Sequence, residues 1–379
     1  MLYGTFLVLV LLTLCGRLAI IVVESTGFVF RHRPEKEVIV AIPGKRRLAC
    51  FLTAIAISAS PLAGTSQVAA ADQGPGHGGG HGPKRGYVAM GDSFSSGEGT
   101  GVYLAGTDTA DNRCHRSPLA YPPLLSEDSR RLRPLTFVAC SGAATRDLYT
   151  TNAANPSEGP QLDALKRRTR AVSLTIGGND VVFVDVARAC VQVGASTGFG
   201  CSTNPSLNAV VNARLAALAG ASVPGTEAIT PISKVLADIN RASPRAEIYL
   251  GGYPELFGSR SRNFLSEDAA PSGSVCVVNR TLGAGVDFDD AQWINSRTRQ
   301  LNAILRDGVQ QARRAGVRAT FVPASRFDSH GLCDDRTSWI QPLLVDGTGG
   351  VASVRSESLH PTAEGHRRGY APAFEAAGL

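Results

Sequence analysis

The chain has 379 residues, of which 43% are hydrophobic and 18% charged, a composition that argues against a disordered, collagen-like or polytopic membrane protein. The net charge is +6, but residues 1–71 hold seven Lys/Arg against three Asp/Glu, which leaves 31 against 29 in the remainder. A nearly neutral body argues against an electrostatically driven nucleic-acid binder, so no nucleic-acid partner is expected.

The second of two apolar stretches near the N-terminus has the organisation of a secretory signal peptide. It begins after the basic group Lys45-Arg46-Arg47, continues as an apolar run over residues 48–62 and ends in the small residues Val68-Ala69-Ala70-Ala71. A basic start, an apolar centre and a small-residue end are the three parts of such a peptide. We therefore predict a leader over residues 1–71, with the signal peptide at 45–71 and cleavage near Ala71 to release a secreted protein.

The first apolar stretch, residues 6–23, is interrupted by Arg17 and leaves two interpretations open. In one, translation starts near Val38 or Val40, and residues 1–37 are an artefact of a misplaced start. In the other, residues 6–23 are a membrane anchor, because their number is close to what a spanning helix needs. A membrane contact is therefore expected only through this leader, and only if the leader is retained.

Residues 72–85 read DQGPGHGGGHGPKR, a Gly- and His-rich linker that cannot build a core. Its histidines, His77 and His81, are expected to be solvated and not to hold a metal. The remainder, residues 86–379, has the length of one domain and no second low-complexity break. We predict that this single domain acts as a monomer.

Six of the eight cysteines fall in this domain. The sequence has no C-x-x-C pair and no His/Cys cluster at zinc spacing, so no metal site is predicted. Six cysteines suit three disulfides in an exported protein, although buried free thiols remain an alternative. Several connectivities are possible, and loop economy favours the sequential one: Cys114–Cys140, Cys190–Cys201 and Cys276–Cys333.

Short aliphatic runs recur through the domain and predict strands buried on both faces. In chain order they are residues 87–90, 136–139, 172–176, 248–250 and 319–322. Longer amphipathic stretches between them predict helices, at residues 162–168, 209–218, 229–242 and 293–315. Strands that alternate with helices indicate an α/β fold with a central parallel sheet and helices on both faces. In such folds ligands bind beyond the carboxyl ends of the strands.

Small and polar residues follow three of these strands and recur near the C-terminus. The groups are Gly91-Asp92-Ser93, Ser141-Gly142, Gly178-Asn179-Asp180 and Glu357-Ser358-Leu359-His360. Taken singly, each group is more often an ordinary turn. The interpretation as a site depends on their order and on their placement after the strands, which would bring them to one rim of the sheet.

Together these groups supply the parts that acyl transfer needs. Ser93 is the candidate nucleophile, in a tight turn that opens a helix, and His360 is the candidate base. Glu357, three residues before His360, would meet the other ring nitrogen and stabilise the imidazolium. The backbone N–H groups of Ser93 and Gly142 and the side-chain amide of Asn179 are the candidate oxyanion donors.

At these residues the sequence resembles the SGNH (GDSL-type) hydrolases. Residues 91–97 match the first block, G-D-S-x-x-x-G, and Gly142 matches the glycine of the second block. Asn179 falls in the third block, G-x-N-D, and His360-Pro361 in the last block, x-x-H-P. The group Cys114-His115-Arg116-Ser117 is similar to a feature of the secreted actinobacterial lipase/esterases within this family.

The resemblance covers essentially residues 86–379 and implies a flavodoxin-like three-layer α/β/α fold in a single domain. It also implies a serine nucleophile, no metal or organic cofactor, and carboxylic-ester substrates. The expected function is that of a secreted lipase or esterase, which hydrolyses acylglycerol-type lipids and simple acyl esters through an acyl-enzyme. A phospholipase or polysaccharide deacetylase of the same family and a non-catalytic secreted binding protein are the alternatives.

The chain departs from the family pattern at Glu357, where the family usually has Asp. One extra methylene moves the carboxylate, and some members of this group orient the histidine with a backbone carbonyl instead. Either Glu357 or a main-chain carbonyl is therefore expected to orient His360. The segment over residues 181–229 follows Asn179 and is expected to form a wall of the acyl site.

Overall fold

The computed structural model describes residues 7–14, 17–24, 86–193, 200–260, 263, 275–346 and 353–379. The predicted signal peptide at 45–71 and the predicted linker at 72–85 lie outside these residues. Near the N-terminus, the strands β1 (Leu7–Leu14) and β2 (Arg17–Glu24) pair antiparallel. The described residues of the first apolar stretch thus form a two-stranded ribbon. Of the helices in the described part of the chain, none is both long and apolar enough to cross a bilayer.

From residue 86 onward the chain alternates strands and helices. Its strands are β3 (Tyr87–Gly91), β4 (Leu135–Phe137), β5 (Ala171–Thr175), β6 (Gln192–Val193), β7 (Glu247–Gly251), β8 (Val275–Asn279), β9 (Ala284–Asp287), β10 (Ala319–Val322), β11 (Val345–Asp346) and β12 (Ser353–Val354). Its α-helices are α1 (Ser93–Ser96), α2 (Tyr121–Asp128), α3 (Phe183–Ala189), α4 (Pro205–Ala219), α5 (Ile232–Ala242), α6 (Phe288–Arg314) and α7 (Ala371–Ala376), and a π-helical stretch, Gly365–Tyr370, precedes α7.

Five parallel strands form the central sheet, in the order β10-β7-β5-β3-β4. Numbered along the chain from β3 and read from the β4 edge, this is the 2-1-3-4-5 order of flavodoxin-like folds. Every residue of β3 and β5 is buried, which explains why these strands read as continuous apolar runs. The predicted α/β fold with a central parallel sheet is confirmed, although β4 ends two residues earlier than the sequence indicates.

The helices form two groups, as the layers on the two faces of a sheet do. α4, α5 and α6 pack against one another, whereas α2 packs against α7 and against β4. The predicted helix at residues 162–168 is wrong, because only a single 3₁₀ turn forms, at Gln161–Ala164. Leu165 is extended, and the Thr169 hydroxyl accepts from the Lys166 N–H at 3.0 Å, which stabilises a separate turn in place of a helix.

A small antiparallel sheet of β6, β9 and β8 lies outside the sequence prediction. β8 reads VCVVN, an apolar run that the sequence analysis did not assign to a strand, whereas β6 and β9 are short and carry no such run. The six cysteines of the domain are joined in sequential order. Cys114–Cys140 links the loop before α2 to the loop after β4, Cys190–Cys201 closes the chain between α3 and α4, and Cys276–Cys333 links β8 to the chain after β10.

Candidate active site

Ser93 lies directly after β3, an interior strand of the central sheet, where the chain turns into α1. Asp92 caps the following one-turn helix, because its carboxylate accepts from the Phe94 N–H at 3.0 Å. The same carboxylate accepts from Thr175 Oγ1 at 2.7 Å and from the Tyr253 hydroxyl. Burial raises the pKa of Asp92 to about 7, although these hydrogen bonds lower it in part. Asp92 thus fixes the turn, and Ser93 takes the first helical position, whose N–H has no intrahelical acceptor.

His360 meets Ser93 although 267 positions separate them in the sequence. His360 Nε2 lies 2.9 Å from Ser93 Oγ, and both side chains are buried. On the other side of the ring, Nδ1 lies 3.1 Å from the Ser358 carbonyl oxygen. A carbonyl only accepts, so this contact places the ring proton on Nδ1 and leaves Nε2 to accept from the Ser93 hydroxyl. Leu359, between the two, has a φ of +66°, in the turn that brings the Ser358 carbonyl back to the ring.

The structure does not pair Glu357 with His360, which was one of the two arrangements that the sequence left open. The Glu357 carboxylate instead accepts from the Arg355 guanidinium, from Nε at 3.3 Å and from one Nη. Burial raises the pKa of Glu357, but the Arg355 hydrogen bond and charge lower it below its ordinary value. The physical reason is local: the Ser358 carbonyl already contacts Nδ1, and a cation two residues upstream binds the carboxylate.

The three predicted oxyanion donors line one cavity together with His360. Gly142 has a φ of +80°, a conformation in which glycine carries no steric cost. The Asn179 side-chain amide donates to the Ala143 carbonyl at 2.9 Å, which orients the amide and leaves its second N–H for a ligand. Among the described residues, none accepts a hydrogen bond from the backbone N–H of Ser93 or of Gly142. These two backbone N–H groups are therefore available to a ligand in the cavity.

Asp180 connects the loop that carries Gly142 to the loop that carries Asn179. Its buried carboxylate accepts from the Thr145 hydroxyl at 2.6 Å and from the Thr145 N–H at 2.9 Å. Its backbone carbonyl accepts from Arg214 at 2.8 Å. This residue therefore holds two of the candidate donors in register.

The cavity above Ser93 has a volume of about 420 Å³. Its lining combines apolar side chains with cations: Val182, Val184, Ile229, Arg146, Arg188 and Arg214. Most of these belong to residues 181–229, the segment expected to form a wall of the acyl site. Within the part of the chain that the structure describes, no group of three or more His, Cys, Asp or Glu side chains is placed to hold a metal ion.

Glu98 and His115 form a buried ion pair that sequence reasoning did not single out. Glu98 is 0% exposed, and its Oε2 lies 2.5 Å from His115 Nδ1. The Tyr103 hydroxyl donates to its other oxygen at 3.2 Å. The available signal was positional, because Glu98 directly follows the G-D-S-x-x-x-G block and His115 lies in the C-H-R-S group. Neither position by itself reveals the pairing.

The protonation of His360 is set by three influences of opposing sign. Burial lowers the pKa of the imidazole, the Glu98 carboxylate raises it, and the Arg188 guanidinium lowers it again. The net pKa lies below the ordinary value for histidine. His360 is therefore neutral near pH 7, the state in which it can accept a proton from Ser93.

The chain is similar in sequence to a described family and to known lipases. A family model described as "GDSL-like Lipase/Acylhydrolase family" matches residues 89–368. Lipase 2 of Streptomyces coelicolor is 32% identical over 290 residues, which cover 76% of this chain and 83% of that protein. A lipase of Streptomyces rimosus is 29% identical over 296 residues, covering 77% of this chain and 86% of the relative.

Two solved structures are similar as well. Phospholipase A1 from Streptomyces albidoflavus NA297 is 28% identical, with a TM-score of 0.52, and the match covers 78% of this chain and 100% of that one. The extracellular lipase from Streptomyces rimosus is 28% identical, with a TM-score of 0.50, and the match covers 77% of this chain and 99% of that one. The similarity therefore spans these two proteins almost end to end.

Proposed function

The chain belongs to the GDSL-like lipase/acylhydrolase family and is a carboxylic ester hydrolase, and from that premise we propose that Ser93 and His360 form its catalytic dyad. The observation that carries the proposal is the 2.9 Å contact between Ser93 Oγ and His360 Nε2. The contact opens on a cavity that also presents Gly142 and Asn179, so the nucleophile, the base and the oxyanion donors share one space.

In the first half of the reaction, Ser93 Oγ attacks the ester carbonyl carbon while His360 Nε2 takes the hydroxyl proton. The carbonyl π-electrons move to the oxygen, which becomes an oxyanion in the tetrahedral intermediate. When the intermediate collapses, the C–O bond to the alcohol breaks and the imidazolium returns its proton to the leaving alkoxide. An acyl group is then bound to Ser93 Oγ.

The second half repeats these steps with water. His360 takes a proton from water as the oxygen attacks the acyl carbon, and a second tetrahedral intermediate forms. Its collapse breaks the bond to Ser93 Oγ, which regains a proton from the imidazolium, and the carboxylic acid leaves. The Ser358 carbonyl keeps the ring in the tautomer that both halves need, because it accepts from Nδ1 throughout.

The oxyanion is stabilised in both halves by the N–H groups of Ser93, Gly142 and Asn179. Two of these are backbone groups and the third is an amide already oriented by the Ala143 carbonyl, so little reorganisation accompanies the reaction. Preorganised donors of this kind act on the charge that develops in the transition state, and that is where they lower the barrier.

The substrates proposed are acylglycerol-type lipids and simple acyl esters. Val182, Val184 and Ile229 offer an apolar surface within a cavity large enough for more than an acetyl group. A panel of nitrophenyl esters of graded chain length, with a triacylglycerol and a phosphatidylcholine, tests this choice. Activity confined to acetyl esters would instead favour a deacetylase.

We propose further that residues 45–71 direct secretion, with cleavage near Ala71, and that the mature enzyme acts as a monomer. The supporting observations are the signal-peptide pattern and the fact that every proposed catalytic group comes from one chain. N-terminal sequencing of protein from the culture medium tests the cleavage, and light scattering of the same material tests the oligomeric state. A mature start far upstream of residue 69 would contradict the first statement.

The deciding experiment is Ser93→Ala, with Ser96→Ala as the matched control from the same helical turn. Loss of the Ser93 hydroxyl should abolish ester hydrolysis and labelling by a fluorophosphonate. Ser96 Oγ only approaches the Ser93 carbonyl, at 3.3 Å, so its removal should leave both readouts in place. Hydrolysis retained by folded Ser93→Ala would remove Ser93 from the mechanism.

A further inference from the structure

The mechanism leaves one buried ionised group beside the dyad without a role. Glu98 follows α1 directly, and its backbone N–H donates to the Ser93 carbonyl at 3.1 Å. Its side chain is fully buried, an expensive place for a carboxylate unless the charge is paired or used. The residue thus belongs to the same short segment as the nucleophile but does not contact Ser93 Oγ.

Two side chains donate to the Glu98 carboxylate. His115 donates from Nδ1 at 2.5 Å, and its Nε2 faces Asp108 at 3.3 Å, so both ring nitrogens face carboxylates, an arrangement that favours the protonated ring. Burial lowers the pKa of His115, but the Glu98 hydrogen bond and the charges of Glu98, Asp108 and Glu357 raise it overall. Tyr103 stacks on the His115 ring, with centroids 4.6 Å apart, and donates to Glu98.

The backbone next to Glu98 is packed directly against His360. Gly99 has a φ of +94°, and a Cβ at this position would lie 2.9 Å from His360 Cβ and 2.6 Å from the Pro361 carbonyl oxygen. Gln341 joins the two segments, since its side-chain amide donates to the Gly99 carbonyl at 2.6 Å and its N–H donates to the His360 carbonyl at 2.8 Å. Glu98 therefore has little freedom to move relative to the imidazole.

The electrostatic coupling between the two side chains runs in both directions. Burial raises the pKa of Glu98, but the His115 hydrogen bond and the charges of His360 and His115 lower it to about 2. Glu98 is thus ionised near neutral pH, and its charge opposes the effect of burial on His360. No hydrogen bond joins the two groups, so the effect is that of a charge at a distance.

We propose that Glu98 is a positioning residue that acts through His360: its fixed negative charge stabilises the imidazolium that forms when Ser93 attacks, while the Ser358 carbonyl orients the ring. The sequence left Glu357 and a main-chain carbonyl as alternatives for supporting His360, and in this proposal a backbone group orients the ring while a carboxylate from a different part of the fold supplies the charge. This inference rests on the proposed dyad.

Other titratable and charged groups near His360 also bear on its pKa. Arg188, on α3, opposes Glu98, and His366 is neutral because burial lowers its pKa to about 3. Close to His360 in the sequence, Arg355 and Glu357 form an ion pair with each other. The remaining charged side chains in the cavity are Arg146, Asp180, Asp185 and Arg214.

The test is the pH profile of kcat/KM for Glu98→Gln, measured on a soluble short-chain nitrophenyl ester and normalised to active sites titrated with a fluorophosphonate. Loss of the charge should displace the acid limb to lower pH by about one unit, the lower end of the shift that a nearby opposite charge produces. The plateau should fall about tenfold, the factor that corresponds to one pKa unit. A merely structural role would lower the yield of active enzyme and leave the limb in place.

Arg188→Gln is the control of opposite sign, and its acid limb should move to higher pH. Should Glu98→Gln not fold, His115→Gln removes the cation that opposes the Glu98 carboxylate and should displace the acid limb to higher pH. An acid limb that stays at the wild-type position in the folded variant overturns the proposal. An incorrect dyad would give a different result, because folded Ser93→Ala would then still be labelled by the fluorophosphonate.

Discussion

Glu98 and Glu357 are both buried near His360, but they differ in the exposure of their partners. The Glu98 side chain is 0% exposed and pairs with a histidine that is itself buried, whereas Glu357, whose side chain is 11% exposed, pairs with Arg355, whose side chain is 40% exposed. Glu357 is three positions from His360 in the sequence, and Glu98 is far away. The carboxylate that is distant in sequence is the one whose charge reaches the ring.

The difference shows how the surroundings of a charge decide its effect. The Arg355 guanidinium opposes the charge of Glu357 at close range, and Arg355 is open to solvent. Around Glu98 the protein replaces water, and the field of the carboxylate extends to His360 with less attenuation. Proximity along the chain is therefore a weaker guide to electrostatic influence than the surroundings of the charge and of its partner.

The largest effect on turnover is expected from the loss of an oxyanion donor, and not from a change in either carboxylate. Asn179→Ala removes one donor and should lower kcat by about 10²–10³, with little change in KM. Steady-state kinetics on a soluble ester measure both constants. A rise in KM alone would mean that Asn179 binds the ground state and is not specific to the transition state.

A second change tests the packing that places Glu98 against His360. Gly99→Ala forces a Cβ into contact with His360 and should lower kcat/KM by up to about 10², since small displacements of a catalytic group carry such costs. The matched control is Gly101→Ala, because Gly101 also has a positive φ but a Cβ there meets nothing within 4 Å. Equal losses in the two variants would attribute the effect to backbone strain and not to His360.

The Glu98–His115 pair should also give a recognisable pH dependence of stability. The pKa of folded Glu98 lies below its unfolded value, so its stabilisation is complete above ~4.3 and is lost as the pH falls toward about 2. The pKa of His115 is raised, so its share is present below ~6.5 and is lost as the pH rises through the folded value. The difference in Tm between wild type and Glu98→Gln should therefore be greatest at mildly acidic pH. A difference that does not change with pH would show that the pair does not contribute through its charges.

The smallest effect is expected at Glu357. Glu357→Gln should keep kcat/KM within about threefold of wild type and leave the acid limb unmoved, because a partly exposed ion pair contributes little. The same pH profile used for Glu98→Gln measures it. A large loss of turnover would restore Glu357 as the acid that orients His360.

Much of the fold could be predicted because the signals were local. β3, β5 and β10 are short aliphatic runs bounded by turn residues, and α6 shows helical periodicity over many turns. In the small sheet, β8 carried such a run and was missed, whereas β6 and β9 carried none. The misassigned helix at 162–168 had the right apolar spacing, but the hydrogen bond that the Thr169 hydroxyl accepts from the Lys166 N–H favoured another turn.

The sequence by itself determined the order of the chemical groups: Ser93, Gly142 and Asn179 each follow a strand of one parallel sheet, so chain connectivity alone sends them to the same edge. Only the tertiary structure decided which group supports His360. The backbone turn at Leu359 and the burial of Glu98 depend on contacts between segments far apart in the chain, and neither a dihedral angle nor a local dielectric can be read from residue identity.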